Sequence, residues 1–162
     1  MTFRVGWGYD AHRLDGRPPL KLAGVVVSES VGVSATSDGD VVAHAVTDAV
    51  LGAAAAGDIG EFFPSDDPSN EGADSMTMLA RAVEVCLAAR LSPRHLDVTV
   101  ILEEIRIAPH REAIRTSLAT VLGLDDDSVS VKATSTDGLG FIGRAEGLAV
   151  VAVVTVGPAL GS

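Results

Sequence analysis

The sequence has 162 residues, 22 acidic and 12 basic side chains, and a formal net charge of -10. That length suits one domain, and an apolar content of 47% supplies a core, which excludes global disorder. The acidity excludes general binding to nucleic acid or to anionic membranes; phosphate ligands stay open, because one arginine or one bound cation reverses the local sign.

Residues 3–10 alternate apolar and small or polar side chains and predict a strand. A second strand is expected over 20–27, after the turn signals Asp15-Gly16 and Pro18-Pro19. Ser37-Asp38-Gly39-Asp40 then opens a long helix, with Ser37 as cap and Asp40 closing a capping-box-like pattern. This helix should run to about Ala56 and stop at Gly57. Residues 57–70 read as loop, and Asp74 or Ser75 caps a second helix ending near Arg90. A strand over 95–103, a helix with Pro109 in its first turn ending at Gly123, and a strand over 128–134 follow. The last strand, 148–156, is apolar enough to be buried on both faces. These elements predict one α+β domain spanning 1–162: a single-layer mixed sheet with helices packed on one face. The outer face of such a sheet needs cover, and self-association is one way to provide it.

The single cysteine, Cys86, sits in an apolar helical stretch and reads as a core residue; no disulfide framework is possible within the chain. No basic segment followed by an apolar one opens the sequence, and its longest apolar stretch, 148–154, is short for a membrane span. A cytoplasmic protein is therefore the expectation.

Two constellations can carry metal chemistry. Asp10-Ala11-His12 ends the first strand, where residues two apart project from one face. Alone, this pair is a weak signal, and a surface or structural role is the more frequent one. Asp40, His44 and Asp48 are spaced by four on one helix face, in a segment with no Lys or Arg. If the first strand packs beside this helix, Asp10, His12 and His44 give three zinc ligands with an open fourth position. Asp40 or Asp48 would then orient them.

Thr134-Ser135-Thr136-Asp137 offers three hydroxyls and an acid at a strand end, which suits a phosphate and Mg²⁺ or an ordinary polar turn. Gly138 to Gly143 matches G-x-G-x-x-G literally, yet a strand follows it where a dinucleotide fingerprint needs a helix. A turn with close backbone approach is the reading. His95 and His110 read as structural or exposed, and no G-x-S-x-G elbow supports a hydrolase triad.

Taken together, Gly8-Tyr9-Asp10-Ala11-His12, Ser37-Asp38-Gly39-Asp40 with His44 and Asp48, Gly57-Asp58-Ile59-Gly60, and Thr134 through Gly147 resemble the 2-C-methyl-D-erythritol 2,4-cyclodiphosphate synthase family. The resemblance runs in order along nearly the whole chain. It implies a homotrimer built around the sheets, with active sites at subunit interfaces. It implies a lyase of non-mevalonate isoprenoid biosynthesis, acting on a small cytidine diphosphate-linked substrate and releasing CMP. By the same resemblance, Asp10, His12 and His44 would bind one Zn²⁺ per subunit, and Asp137 would bind Mg²⁺ or Mn²⁺ with the substrate. Ser37, Asp58 and Gly60 would hold the methylerythritol phosphate. Arg106, Thr134 and Ser135 would contact the nucleotide side, and Phe141, Arg144 and Glu146 resemble residues lining the trimer's central channel, near the substrate. Thr36, Asp48 and Ser135 are the catalytic candidates.

Four departures stand out. Thr36 replaces the family's loop histidine, Ser135 a threonine, and Asp137 a glutamate, while Glu103-Glu104-Ile105-Arg106 lacks the usual Gln-x-Pro-Lys pattern. A threonine cannot carry an imidazolium's charge, and two acids beside a nucleotide site would weaken anion binding. These features leave room for a trimeric metal-dependent binder without turnover, and a metal-dependent phosphohydrolase would share the zinc site. The charge is also uneven: residues 1–74 hold 12 acids and 4 bases, whereas 75–162 hold 10 acids and 8 bases. The acidity is thus concentrated in the half that carries the metal candidates, so phosphate binding should depend on metal.

Overall fold

In the first strand, β1 (Arg4–Arg13), small and polar residues alternate with large apolar ones. A computed structural model, describing residues 3–159, shows what each face meets. β1 pairs antiparallel with β6 (Gly147–Pro158), β6 pairs antiparallel with β4 (Leu91–Ile101), and β4 runs parallel to β5 (Val129–Thr134). The register aligns Gly8, Ala152, Val98 and Val131 across one face and Trp7, Val153, Asp97 and Ser130 across the other.

The first of these faces is the core. Helix α1 (Val41–Ala54) packs on β1 and β6, α3 (Ser75–Ala88) on β4 and α1, and α4 (Arg111–Leu122) on β5. The expected mixed sheet with helices on one face is therefore present. Short helices α2 (Ile59–Phe62) and α5 (Gly140–Gly143) lie in connections that the sequence presents as loop or turn. Gly143 does sit directly on Gly138, whose carbonyl carbon is 2.0 Å from where a Cβ would be, so the expected close backbone approach is there. Cys86 is buried in the core, as its setting predicted.

The fit of α1 to the sheet depends on Gly6 and Gly8. A Cβ at Gly6 would lie 1.8 Å from the Ala49 carbonyl oxygen, and one at Gly8 would lie 1.9 Å from that of Ala45. Two glycines on the strand thus face alanines on the helix, and the two backbones meet without side chains between them.

Several expectations need correction. The strand expected over 20–27 is a hairpin, β2 (Leu20–Leu22) and β3 (Val25–Ser28), turning at Ala23 and Gly24 with φ of 52° and 75°. Both turn residues are left-handed, as a tight hairpin requires. Ser37 does not cap α1. Asp40 does, accepting from Ala43 N at 3.0 Å. The same carboxylate accepts from Ala23 N at 2.8 Å and Gly24 N at 2.7 Å, so it is the clamp between hairpin and helix. The helix ends two residues before the expected Ala56, with Ala55 left-handed at φ 56°. β4 begins at Leu91 rather than at His95, which is exposed within it.

Asp40 is fully buried, and burial pushes its carboxyl pKa up against the pull of its three amide donors. Asp40→Ala leaves those donors unpartnered in the core. We expect a loss of about 3 kcal/mol or more in a urea melt, from lost charged hydrogen bonds and a lost cap.

β6 is not buried on both faces. Val150, Ala152, Val154 and Val156 are inside, but Val151, Val153 and Thr155 are half-exposed on the outer face. Beside them on β1, Val5, Trp7 and Tyr9 are exposed, at 66%, 61% and 45%, with the two aromatic rings stacked at 6.2 Å. The apolar strand was written for a covered sheet, and among the described residues nothing in the chain covers this face.

Candidate metal centre and its clefts

The inner face of β1 changes character as it emerges from under α1. Gly6 and Gly8 lie beneath the helix, and the next two positions on that face are Asp10 and His12. Because the helix is so close, His44 reaches over the strand end. His12 Nε2 and His44 Nδ1 each lie 3.0 Å from Asp10 Oδ2. All three side chains are partly exposed, at 24% for Asp10, 17% for His12 and 13% for His44, so the group is open to a ligand.

The partners behind the imidazoles set their protons. His12 Nδ1 lies 3.1 Å from the Ser34 carbonyl, which can only accept, so Nδ1 donates and Nε2 presents its lone pair forward. His44 Nε2 is backed by Ser75 Oγ at 2.9 Å and Ser37 Oγ at 3.1 Å. With Nε2 protonated, His44 Nδ1 also presents a lone pair. A carboxylate oxygen and two imidazole nitrogens then converge, and like lone pairs stay together only around a cation or if both rings are charged.

The electrostatics favour positive charge at this point, which a proton on His12 or a cation can supply. Burial works to raise the Asp10 carboxyl, but hydrogen bonds and charge from His12 and His44 outweigh it and hold it well below the usual carboxylate range. The hydrogen bond to Asp10 raises His12, against burial. All three ligand atoms lie within 4.8 Å of one another. One carboxylate and two neutral imidazoles, each braced from behind, are a donor set for a divalent transition metal.

A cleft opens beside the centre, lined by His12, His44, Thr36, Ser37, Gly60 and Phe63 among others. It brings together five positions singled out in the sequence. Two acids shape it from outside the triad. Asp48 Oδ1 accepts from Ile59 N at 2.8 Å, which moors α2 and with it Gly60. Burial pushes the Asp48 carboxyl up. Asp58, exposed, caps α2 by accepting from Glu61 N at 3.0 Å. Asp40, on the same helix face by spacing, belongs to the hairpin clamp and not to this centre.

The other candidates lie elsewhere. Arg106, Thr134 and Ser135 share a second cleft with Glu104 and Arg111. Asp137, left-handed at φ 53°, sits beside Ser135, whose Oγ accepts from its N–H at 3.3 Å. Phe141 is 42% exposed, and Arg144 makes a two-pronged ion pair with Glu146 at 2.9 and 3.1 Å. Within one chain none of these residues lines the cleft of the metal centre. Glu103, which lines this second cleft with Glu104, also has a structural task. Its carboxylate accepts from Thr136 N and Gly138 N, both at 3.2 Å, so it holds the turn that carries Asp137. Sequence reasoning gave no role to Asp38 or Ser75 behind His44. Asp38 stood inside a quoted motif, but Ser75 is 31 residues from His44 and carries no local signal.

A three-ligand group, open on one side onto a cleft with hydroxyls, fits the open metal site of an enzyme rather than a closed structural site. A model of the YgbB family matches residues 3–157. The chain belongs to the YgbB family. It is 51% identical over 154 residues to the 2-C-methyl-D-erythritol 2,4-cyclodiphosphate synthase of Shewanella piezotolerans, covering 95% of this chain and 97% of that one. Among solved structures, the bifunctional IspDF from Campylobacter jejuni superposes with a TM-score of 0.93 at 39% identity, covering 96% of this chain and 42% of that longer one. An IspF from Plasmodium falciparum, in complex with CDP, superposes with a TM-score of 0.84 at 31% identity over 98% of this chain and 97% of that one.

Proposed function

We propose that this protein converts 4-diphosphocytidyl-2-C-methyl-D-erythritol 2-phosphate into 2-C-methyl-D-erythritol 2,4-cyclodiphosphate and CMP. An oxygen of the 2-phosphate attacks the β-phosphorus. The bond from that phosphorus to the bridging oxygen breaks, and the bridging oxygen leaves on CMP. The observation that carries this reading is the Asp10–His12–His44 centre, opening onto the Thr36–Ser37–Gly60 cleft in a chain whose relatives bear this enzyme's name.

The reaction joins two anions within one molecule, so it needs alignment and charge neutralisation more than a strong base. Asp10, His12 and His44 would hold one Zn²⁺ per subunit, which supplies Lewis acidity to a phosphoryl oxygen. The Ser37 hydroxyl and the α2 backbone at Gly60 orient the methylerythritol phosphate, with Asp58 and Asp48 fixing α2. Thr134, Ser135 and Arg106 take the nucleotide side, and Asp137 a Mg²⁺ or Mn²⁺ between phosphates.

These two sets do not meet in one chain, whereas a homotrimer would bring one subunit's metal cleft to its neighbour's Thr134–Asp137 turn. The bare apolar face of β1 and β6 supports such an assembly, with Phe141, Arg144 and Glu146 toward its centre. The charge distribution supports it too, since such an assembly would set the acidic half of one subunit beside the nearly neutral half of the next. No helix among the described residues is long and apolar enough to cross a membrane.

The test is incubation of the protein and substrate with Zn²⁺ and Mg²⁺, followed by phosphorus NMR and chromatography. We expect a cyclic diphosphate and CMP in equal amounts. A linear product would make the protein a hydrolase, and binding without CMP release would make it a binder. Thr36→His should also raise turnover, by placing a cationic ring beside the migrating phosphate. About tenfold is the scale expected for roughly 1.4 kcal/mol of transition-state stabilisation. Unchanged or lower turnover would mean that the cleft compensates for the missing charge elsewhere.

A further inference from the structure

Ser75 is fully buried, yet its hydroxyl takes no part in capping α3, a task done by Asp74 through Met76 N. Instead it hydrogen-bonds Asp38 Oδ1 and lies 2.9 Å from His44 Nε2. An ionised carboxylate only accepts, so the single Ser75 proton goes to Asp38. The Ser75 oxygen is then left as an acceptor, and His44 must donate from Nε2. Ser37 Oγ, 3.1 Å from the same nitrogen, adds a second acceptor to that side.

We propose that Asp38 and Ser75 form a positioning relay that fixes His44 as its Nε2–H tautomer and directs the Nδ1 lone pair to the metal. This rests on the reading of Asp10, His12 and His44 as a metal centre. A carboxylate behind a hydroxyl behind an imidazole polarises the ring and raises the basicity of the ligating nitrogen. Without it, His44 could turn its proton toward Asp10 and become a hydrogen-bond donor in place of a ligand.

Asp38 has a second attachment. Its N–H donates to the Ala73 carbonyl at 3.1 Å, Gly72 N donates to the Thr36 carbonyl at 2.8 Å, and Ser75 N donates to Asp38 Oδ1 at 3.3 Å. The relay is therefore built into the same short ladder that holds Thr36 and Ser37 against the start of α3. Cleft wall and ligand orientation are set together.

The test uses Ser75→Ala and Asp38→Asn, with zinc affinity measured by chelator competition and the His44 tautomer by nitrogen NMR of the metal-free protein. Ser75→Ala should weaken zinc by about 10–100-fold, the usual effect of removing a group behind a ligand, and should mix the tautomers. Asp38→Asn keeps an acceptor for the Ser75 proton, so it should lose less affinity and keep the Nε2–H form. If Ser75→Ala does not fold, Asp38→Ala supplies the same two readouts. Zinc affinity within about twofold of the parent together with an unchanged tautomer would overturn the relay. Failure of the metal reading would look different: the parent itself would not retain zinc, and the tautomer measurement would still decide the relay.

Discussion

Asp10→Ala should abolish zinc retention and CMP release together while leaving the fold in place. Asp10 Oδ2 is the one atom within 3.0 Å of both imidazole nitrogens, and it brings the only negative charge in the group. Without it, two neutral imidazoles face a cation across a gap. Metal-assisted neutralisation contributes several kcal/mol to such a transfer, so turnover should fall by about 10³-fold or more. Stability should change little, because Asp10 is partly exposed and water can replace the contacts it makes with His12 and His44. Asp10→Asn should be nearly as inactive, since an amide keeps the shape and loses the charge. Metal content, product analysis and a thermal melt on the same preparation check this. Full turnover in Asp10→Ala would remove the centre from the mechanism.

Gly8→Val should damage the fold and the site at once. Its Cβ would start 1.9 Å from the Ala45 carbonyl oxygen and 2.8 Å from Ala49 N, both backbone atoms of α1. Neither can rotate away, so the helix must lift off β1. Overpacking of this kind costs about 3 kcal/mol or more, which for a domain of this size lowers the melting temperature by about 6–12 °C. The lifted helix carries His44, so zinc affinity should fall as well, although residue 8 touches no ligand. Gly52 is the control. It lies on the same helix with nothing within 4 Å of its Cβ direction, so Gly52→Ala should stabilise by about 0.5–1 kcal/mol and leave zinc binding unchanged. A melt of Gly8→Val equal to the parent's would show that α1 can move without consequence.

These two variants divide what was legible from what was not. Asp10, His12 and His44 were readable because each lies on a regular element whose period fixes its face: two along a strand, four along a helix. The core strands and three long helices followed from the same periodicity. Local signals with two solutions were less secure. Ser37 read as the cap with Asp40 as the acid three residues on, yet Asp40 is the cap, and the hairpin turn at Ala23 and Gly24 uses its other lone pairs. The strand expected over 20–27 split because Ala23, with no local turn signature, adopts a left-handed conformation inside an apolar run. The structural task of Glu103, holding the turn through two backbone donors, had no local signal.

The sequence by itself determined one mixed α+β domain, an acidic surface, the identity of the three side chains that meet at the candidate metal centre and the family resemblance. All of these follow from residue type and short-range spacing. Only the tertiary structure decided that Gly6 and Gly8 let α1 lie against β1, and that Asp38 and Ser75 stand behind His44. It also decided that the Thr134–Asp137 turn lies away from the metal cleft of its own chain. Each of these is a meeting of segments tens of residues apart, and chain closure over such distances is set by packing of the whole core, which local pattern does not encode.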